Sequence, residues 1–97
     1  MVVQKPDEPF VRYSLAMAYR SAGKGPDAAR EFEELSRRAP DYVPTYLMLG
    51  QVLEALGRLD EAAGAYERGI AAATRMGEAH ARSELAQSLE VLRSQGG

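Results

Sequence analysis

The amino-acid sequence predicts an all-α fold of two helical hairpins and one closing helix, which makes five helices. Three observations lead to this prediction. The chain matches itself when it is shifted by 34 residues, and glycine and proline residues mark helix ends at matching places in the two copies. No segment shows the alternation of apolar and polar residues, rich in β-branched side chains, that is typical of a strand. The 97 residues have the length of a single domain.

The internal repeat is defined by residues that keep their identity across the 34-residue shift. Most of them are small or apolar residues, which set helix ends and close helix contacts. The identical pairs are Leu15 and Leu49, Gly23 and Gly57, Ala28-Ala29 and Ala62-Ala63, Glu33 and Glu67, and Ala39 and Ala73. Because the matches fall at structurally meaningful positions, we interpret them as two copies of one hairpin.

The first hairpin is predicted from residues that start and stop helices. Asp7, Glu8 and Pro9 suit a first helical turn, and Gly23 suits the positive φ angle at which helices commonly end. Pro26 opens the second helix and Pro40 stops it. Apolar residues at helical spacing carry the pattern in the two segments, namely Leu15, Ala16, Ala18, Tyr19 and Ala22, then Ala28, Ala29, Phe32 and Leu35.

The second hairpin repeats this punctuation. Asp41 is expected to cap its first helix, Pro44 lies in the first turn and Gly57 ends it. Its second helix follows Asp60 and continues to about Thr74. The apolar pattern is carried by Leu47, Leu49, Gly50, Leu53 and Leu56, then by Ala62, Ala63, Tyr66 and Ile70.

The last segment predicts a helix with one apolar side. An apolar stripe is formed by Ala81, Leu85, Leu89 and Leu92, whereas the positions reached by the next 34-residue step are polar: His80, Ser83, Glu84 and Gln87. A helix with this pattern is suited to rest on its predecessor and to close a repeat array with a polar outer face. We therefore expect the array to end by design at this helix.

The spacing of these residues resembles the tetratricopeptide repeat family. The family pattern is W-x2-L-G-x2-Y, then A-x3-aromatic, then proline. The first copy reads Arg12-x2-Leu15-Ala16-x2-Tyr19, Ala28-x3-Phe32 and Pro40, and the second reads Tyr46-x2-Leu49-Gly50-x2-Leu53, Ala62-x3-Tyr66 and Thr74. Arg12 and Thr74 depart from the pattern without changing the expected fold. The match to the pattern is strong over residues 9–74. The chain as a whole resembles small two-repeat bacterial members of the family.

The resemblance implies a right-handed α-α superhelix that forms one domain over residues 1–97. Repeat 1 is expected over about residues 9–42, repeat 2 over about residues 43–76, and the capping helix over about residues 77–94. In the family, ligands lie in a concave groove made by the first helix of each hairpin. The groove candidates implied here are Phe10, Tyr13, Met17, Arg20, Leu47, Met48, Gln51, Glu54, Arg82 and Leu85.

The alternative for part of this set is a structural role, because Met17 and Leu47 are equally suited to the core between hairpins. One subset of the family grips a terminal carboxylate with lysine and asparagine. At the corresponding places this sequence has Tyr13, Met17 and Met48, which argues against that mode of binding. An apolar helix, an extended peptide or a second copy of the chain is the expected occupant.

Composition argues against several other classes of function. The net charge of −2 gives no concentrated positive surface for nucleic acid. The chain has no cysteine and one histidine, His80, expected to be exposed on the closing helix, so no metal or cofactor site is predicted. No apolar run is long enough to span a membrane, and the first residues lack a signal-peptide pattern, so the cytoplasm is the expected location.

The sequence as a whole predicts a non-catalytic module that binds an unidentified protein or peptide. Self-association through the apolar groove or the cap surface is the alternative, because two hairpins fall below the three repeats that such arrays usually need for stability. An enzyme or a nucleic-acid binder is the third and least supported interpretation, since no convergent set of titratable groups is recognisable.

Overall fold

The computed structural model describes residues 8–96. Within these residues the chain forms five α-helices and no strand. They are α1 (Pro9–Ser21), α2 (Gly25–Arg38), α3 (Pro44–Ala55), α4 (Leu59–Met76) and α5 (Ala79–Gly96). The predicted all-α superhelix of two hairpins and a closing helix is therefore confirmed, and the predicted contribution of Asp7 lies outside the described residues.

Both hairpin turns use the same backbone geometry, 34 residues apart. Gly23 and Gly57 each adopt a φ angle of 76°, a left-handed conformation that costs glycine little. In the first turn the amide of Lys24 donates to the carbonyl of Tyr19 at 2.9 Å, and in the second the amide of Arg58 donates to that of Leu53 at 2.9 Å. These bonds satisfy carbonyls at the ends of α1 and α3, as in a Schellman motif. The predicted glycine stops are confirmed.

The connection between the hairpins differs from the prediction. The residue before α3 is Val43, and no side chain caps that helix, so the predicted cap at Asp41 is wrong. The Asp41 carboxylate instead accepts two hydrogen bonds from Arg75, at 2.9 and 3.1 Å. Asp41 thus ties the interhairpin loop to the end of α4 rather than to the start of α3.

The helix α4 is longer than predicted, which shifts the closing helix. Thr74 occupies the place at which Pro40 follows the end of α2, and its hydroxyl donates to the Ile70 carbonyl at 2.8 Å within the helix. Because threonine keeps its backbone amide, α4 continues to Met76 and ends at Gly77, which has a φ angle of 68°. The closing helix begins at Ala79, two residues later than predicted.

The core is formed by sequential packing, in which each helix rests on the next one along the chain. Ala28 and Ala62 are fully buried, which lets the two helices of each hairpin approach closely, while Phe32 and Tyr66 fill the remaining space. A Cβ atom on Gly50 would overlap the ring of Tyr66. The contact between α3 and α4 therefore requires a residue without a side chain at position 50.

The closing helix packs on α4 through the predicted apolar stripe. Leu85, Leu89 and Leu92 are buried, and a Cβ atom on Gly69 of α4 would lie 2.9 Å from Leu85 Cδ2. A second glycine thus permits a second close helix contact. The exposed position of His80, predicted from the sequence, is confirmed.

The two equivalent leucines of the repeats have different environments. Leu49 on α3 is fully buried, where α2 packs against its helix, whereas Leu15 on α1 is 44% exposed. The expectation that Leu15 belongs to the core pattern is therefore wrong. Within residues 8–96 no helix precedes α1, so the face that α2 covers on α3 is left uncovered on α1.

We predict that the Gly50→Ala substitution lowers the free energy of unfolding by about 1–3 kcal/mol, because the new methyl group must displace the Tyr66 ring. Gly64→Ala is the matched control. Gly64 lies in the same hairpin, and a Cβ atom added there would have no neighbouring atom within 4 Å. It should raise stability by roughly 0.5–1 kcal/mol through helix propensity. Urea unfolding followed by circular dichroism measures both, and a neutral Gly50→Ala variant would contradict the close contact.

We also predict different costs for truncating the two equivalent leucines. Leu49→Ala should lower the free energy of unfolding by about 2–5 kcal/mol, because it leaves a cavity between α2 and α3. Leu15→Ala removes the same atoms from a partly solvated face and should cost about 1 kcal/mol or less. Thermal and urea unfolding of the two variants test this, and equal losses would mean that the Leu15 face is covered in solution.

Candidate protein-binding surface

The first helices of the repeats and the closing helix lie side by side in one layer. α3 contacts α5 directly, and Arg20 of α1 bridges to α3 by donating to Gln51 Oε1 and to Met48 Sδ, each at 3.1 Å. α2 and α4 form the other layer, so the groove candidates on α1 and α3 share one side of the molecule. Met17 and Met48 are partly buried and pack against the core, which leaves only part of each side chain for a ligand.

The amino-terminal end of this layer presents aromatic side chains. Phe10 is exposed. Tyr13 is half-buried, and its ring makes edge-to-face contacts with Phe32 at 5.9 Å and with Tyr42 at 5.8 Å between ring centroids. Burial, followed by the electrostatic effect of Tyr42, raises the pKa of the Tyr13 hydroxyl. Tyr13 therefore contributes to packing between α1 and α2 as well as to the surface.

A groove lies between α3 and α5 and is made of two adjacent clefts of about 320 and 190 Å³. The clefts share Leu47 and Glu84, so they form one continuous depression. We call it the α3–α5 groove. Its lining residues are Val43, Pro44, Leu47, Gln51, Glu54, Tyr66, Glu78, Ala81, Glu84, Leu85, Gln87, Ser88 and Val91.

The groove combines an apolar floor with a polar rim. Leu47 is partly exposed at the point where the clefts meet, and Val91 is 48% exposed. The Tyr66 hydroxyl donates a hydrogen bond to Glu54 Oε2. Burial, the hydrogen bond to Glu54 and the charge of that carboxylate, in this order, raise the pKa of Tyr66. Glu54 is thereby fixed as a hydrogen-bond acceptor at the edge of the groove.

The two sequence-predicted candidates on the closing helix differ in how they relate to the groove. Leu85 is 1% exposed, and its side chain packs against Gly69 of α4, so it lies mainly in the core and forms part of the buried floor of the smaller cleft. Arg82 is exposed but lies outside the lining of both clefts. The side chains of α5 that line the larger cleft include Glu84, Ser88 and Val91.

These three residues follow Leu47, Gln51 and Glu54 by 37 residues each, not by the 34 residues of the repeat. The extension of α4 to Met76 and the short connection to α5 cause this change of register. Two features of the sequence were available as signals: position 74 is a threonine where the first repeat has Pro40, and a glycine, Gly77, follows three residues later. Both indicate a later and closer helix junction.

Between residues 8 and 96, no group of three or more histidine, cysteine, aspartate or glutamate side chains is placed to hold a metal ion. Over the same residues, none of the helices is both long and apolar enough to cross a membrane.

The layered helices, the sequential packing and the 34-residue period define a helical-repeat protein. The family model for the tetratricopeptide repeat matches residues 13–76 and residues 47–94, and the chain belongs to this family. The tetratricopeptide repeat is in general a protein–protein interaction fold and is typically non-catalytic.

Individual relatives agree with this assignment. A TPR repeat-containing protein of Pseudomonas aeruginosa is 29% identical over 92 residues, which are 95% of this chain and 88% of that protein. A solution NMR structure of a tetratricopeptide repeat domain protein from Salinibacter ruber is similar with a TM-score of 0.89 and 36% identity, covering 94% of this chain and 92% of that one. A crystal structure of a tetratricopeptide repeat domain protein from the same organism has a TM-score of 0.84 and 37% identity, covering 90% and 97%.

Proposed function

We propose that this protein is a non-catalytic adaptor that binds a peptide or protein segment along its layer of first helices, with the α3–α5 groove as the main contact. The observation that carries the proposal is the partly exposed Leu47, which lies at the junction of two clefts and is surrounded by hydrogen-bonding side chains. An apolar floor inside a polar rim is the arrangement by which interfaces combine affinity with orientation.

The dimensions of the groove support a polypeptide as the ligand. Clefts of about 320 and 190 Å³ are each large enough to receive a side chain. Two such clefts next to each other can receive successive side chains of one segment. Phe10, Tyr13, Met17 and Arg20 continue the surface along α1 and remain candidates for further contacts. The cytoplasmic location stays a prediction.

Selection of peptides from a displayed random library against the folded chain tests this proposal. Selected peptides should shift amide resonances of α3 and α5 around Gln51 and Ser88 in titrations followed by NMR. Val91→Ala should weaken their binding by about fivefold, because roughly 1 kcal/mol of apolar contact is lost.

Leu59→Ala is the matched control, since Leu59 at the start of α4 is 45% exposed, as Val91 is 48%, but lies outside the groove. It should leave binding unchanged. Shifts confined to the outer surfaces of α2 and α4, or equal effects of both substitutions, would refute the α3–α5 groove as the main contact.

Self-association is the second candidate function, and the uncovered face of α1 favours it. Leu15 is 44% exposed at the position where its counterpart Leu49 is fully buried under a neighbouring helix. A second copy that packs against this face would bury apolar surface that a monomer leaves in contact with water.

We predict that, if α1 forms a dimer interface, Leu15→Glu abolishes the dimer without loss of the monomer fold, because a buried unpaired carboxylate is costly only in the interface. Sedimentation velocity over a range of protein concentrations measures the change, with Leu59→Glu as the control at an equally exposed leucine. A wild-type chain that sediments as a monomer at every concentration would eliminate this candidate.

A further inference from the structure

Arginine side chains form ion pairs with carboxylates on the side of the molecule made by α2 and α4. Ion pairs join residues of neighbouring helices or of successive turns, including Arg12 with Glu31 at 2.9 Å and Arg93 with Glu67 at 2.6 Å. The acidic residues with an arginine partner are Asp27, Glu31, Glu33, Glu34, Asp41, Glu61 and Glu67. All of them lie on α2, on α4 or on the loop that follows α2.

The α3–α5 groove has the opposite character. Glu54, Glu78 and Glu84 contribute to its lining, whereas no lysine, arginine or histidine lines either cleft in the part of the chain that the structure describes. The nearest cationic contact recorded for Glu84 is the exposed His80, whose Nε2 atom lies 3.9 Å from Glu84 Oε1. The lining of the groove is therefore acidic around an apolar floor, with the Arg20 guanidinium at its edge, where it donates to Gln51. Eight of the ten arginines form ion pairs on other parts of the surface.

Part of this negative charge, the carboxylate of Glu54, is held in place by a hydrogen bond. Its carboxylate accepts a hydrogen bond from the Tyr66 hydroxyl, and Tyr66 is anchored between α3 and α4. Glu84 lies on α5, on the other side of Leu47, and is shared by both clefts. Carboxylates from two different helices thus border the same apolar floor.

We propose that the α3–α5 groove selects an amphipathic segment of a partner protein in which a lysine or arginine accompanies an apolar side chain. This inference rests on the proposed function. The apolar side chain packs on Leu47 and Val91, and the cation lies within reach of Glu54 and Glu84. Charge complementarity of this kind gives specificity and orientation, because an anionic segment would meet like charge at the rim.

Two synthetic amphipathic peptides of equal length test the selection, one built of leucine and lysine and the other of leucine and glutamine. Fluorescence anisotropy should give a dissociation constant about tenfold lower for the lysine peptide, the ratio expected from two partly exposed ion pairs. Salt should reduce the difference, since exposed pairs are screened.

The double variant Glu54→Gln/Glu84→Gln should bind both peptides equally. Asp60→Asn/Glu67→Gln is the matched control, because it removes the same charge from exposed positions of α4 outside the groove, and it should retain the preference. Glu84→Gln alone leaves the Tyr66–Glu54 bond intact and should lose part of the preference, which covers the case in which the double variant fails to fold.

Equal binding of the two peptides by the wild-type chain would overturn the inference, as would a preference that survives in Glu54→Gln/Glu84→Gln. Failure of both peptides to bind would also overturn it. The proposed function is judged separately, by whether library-selected peptides map to α3 and α5. If they do and carry no excess of lysine or arginine, only the charge selection fails, whereas peptides that map elsewhere refute the groove itself.

Discussion

The fold depends on close approach of neighbouring helices at positions that carry little or no side chain. Gly50 lies against the Tyr66 ring, and Gly69 lies against Tyr46 and Leu85, with no room for a Cβ atom at either place. These two contacts join α3 to α4 and α4 to α5. They fix the distance between α3 and α5, because both of these helices pack closely against α4. The width of the α3–α5 groove is thus set by packing on its far side.

Tyr66 connects this packing to the groove. Its ring fills the space above Gly50, and its hydroxyl donates to Glu54 at the groove edge. In the first repeat the same place holds Phe32, which has no hydroxyl, and the residue opposite is Ala16 rather than glycine. The second hairpin therefore has a hydrogen bond from its aromatic residue to a carboxylate, which Phe32 cannot form in the first hairpin.

Much of the fold could be predicted from the sequence because it is encoded by local signals. Gly23 and Gly57 end their helices as expected, and the leucine stripe of α5 faces α4. The burial of Leu15 could not be judged from its spacing, since exposure depends on whether another helix covers that face. The candidates on α1 and α3 could be assigned to equivalent positions because both helices keep the period of the repeat, and their role in binding stays a prediction. On α5 the period fails, since the extension of α4 rotates Leu85 into the core and brings Glu84, Ser88 and Val91 to the groove.

Sequential packing has a consequence for how the chain folds and opens. Every major helix contact except that between α3 and α5 joins elements adjacent along the chain, so few contacts require the closure of a long loop. Chains with such low contact order fold fast, and their stability is distributed along the array rather than concentrated in one centre. The first helix has a single major neighbour, whereas α4 lies between two, so amide protection should be lowest in α1 and highest in the second hairpin. The end that exposes Leu15 is then also the end at which local unfolding begins.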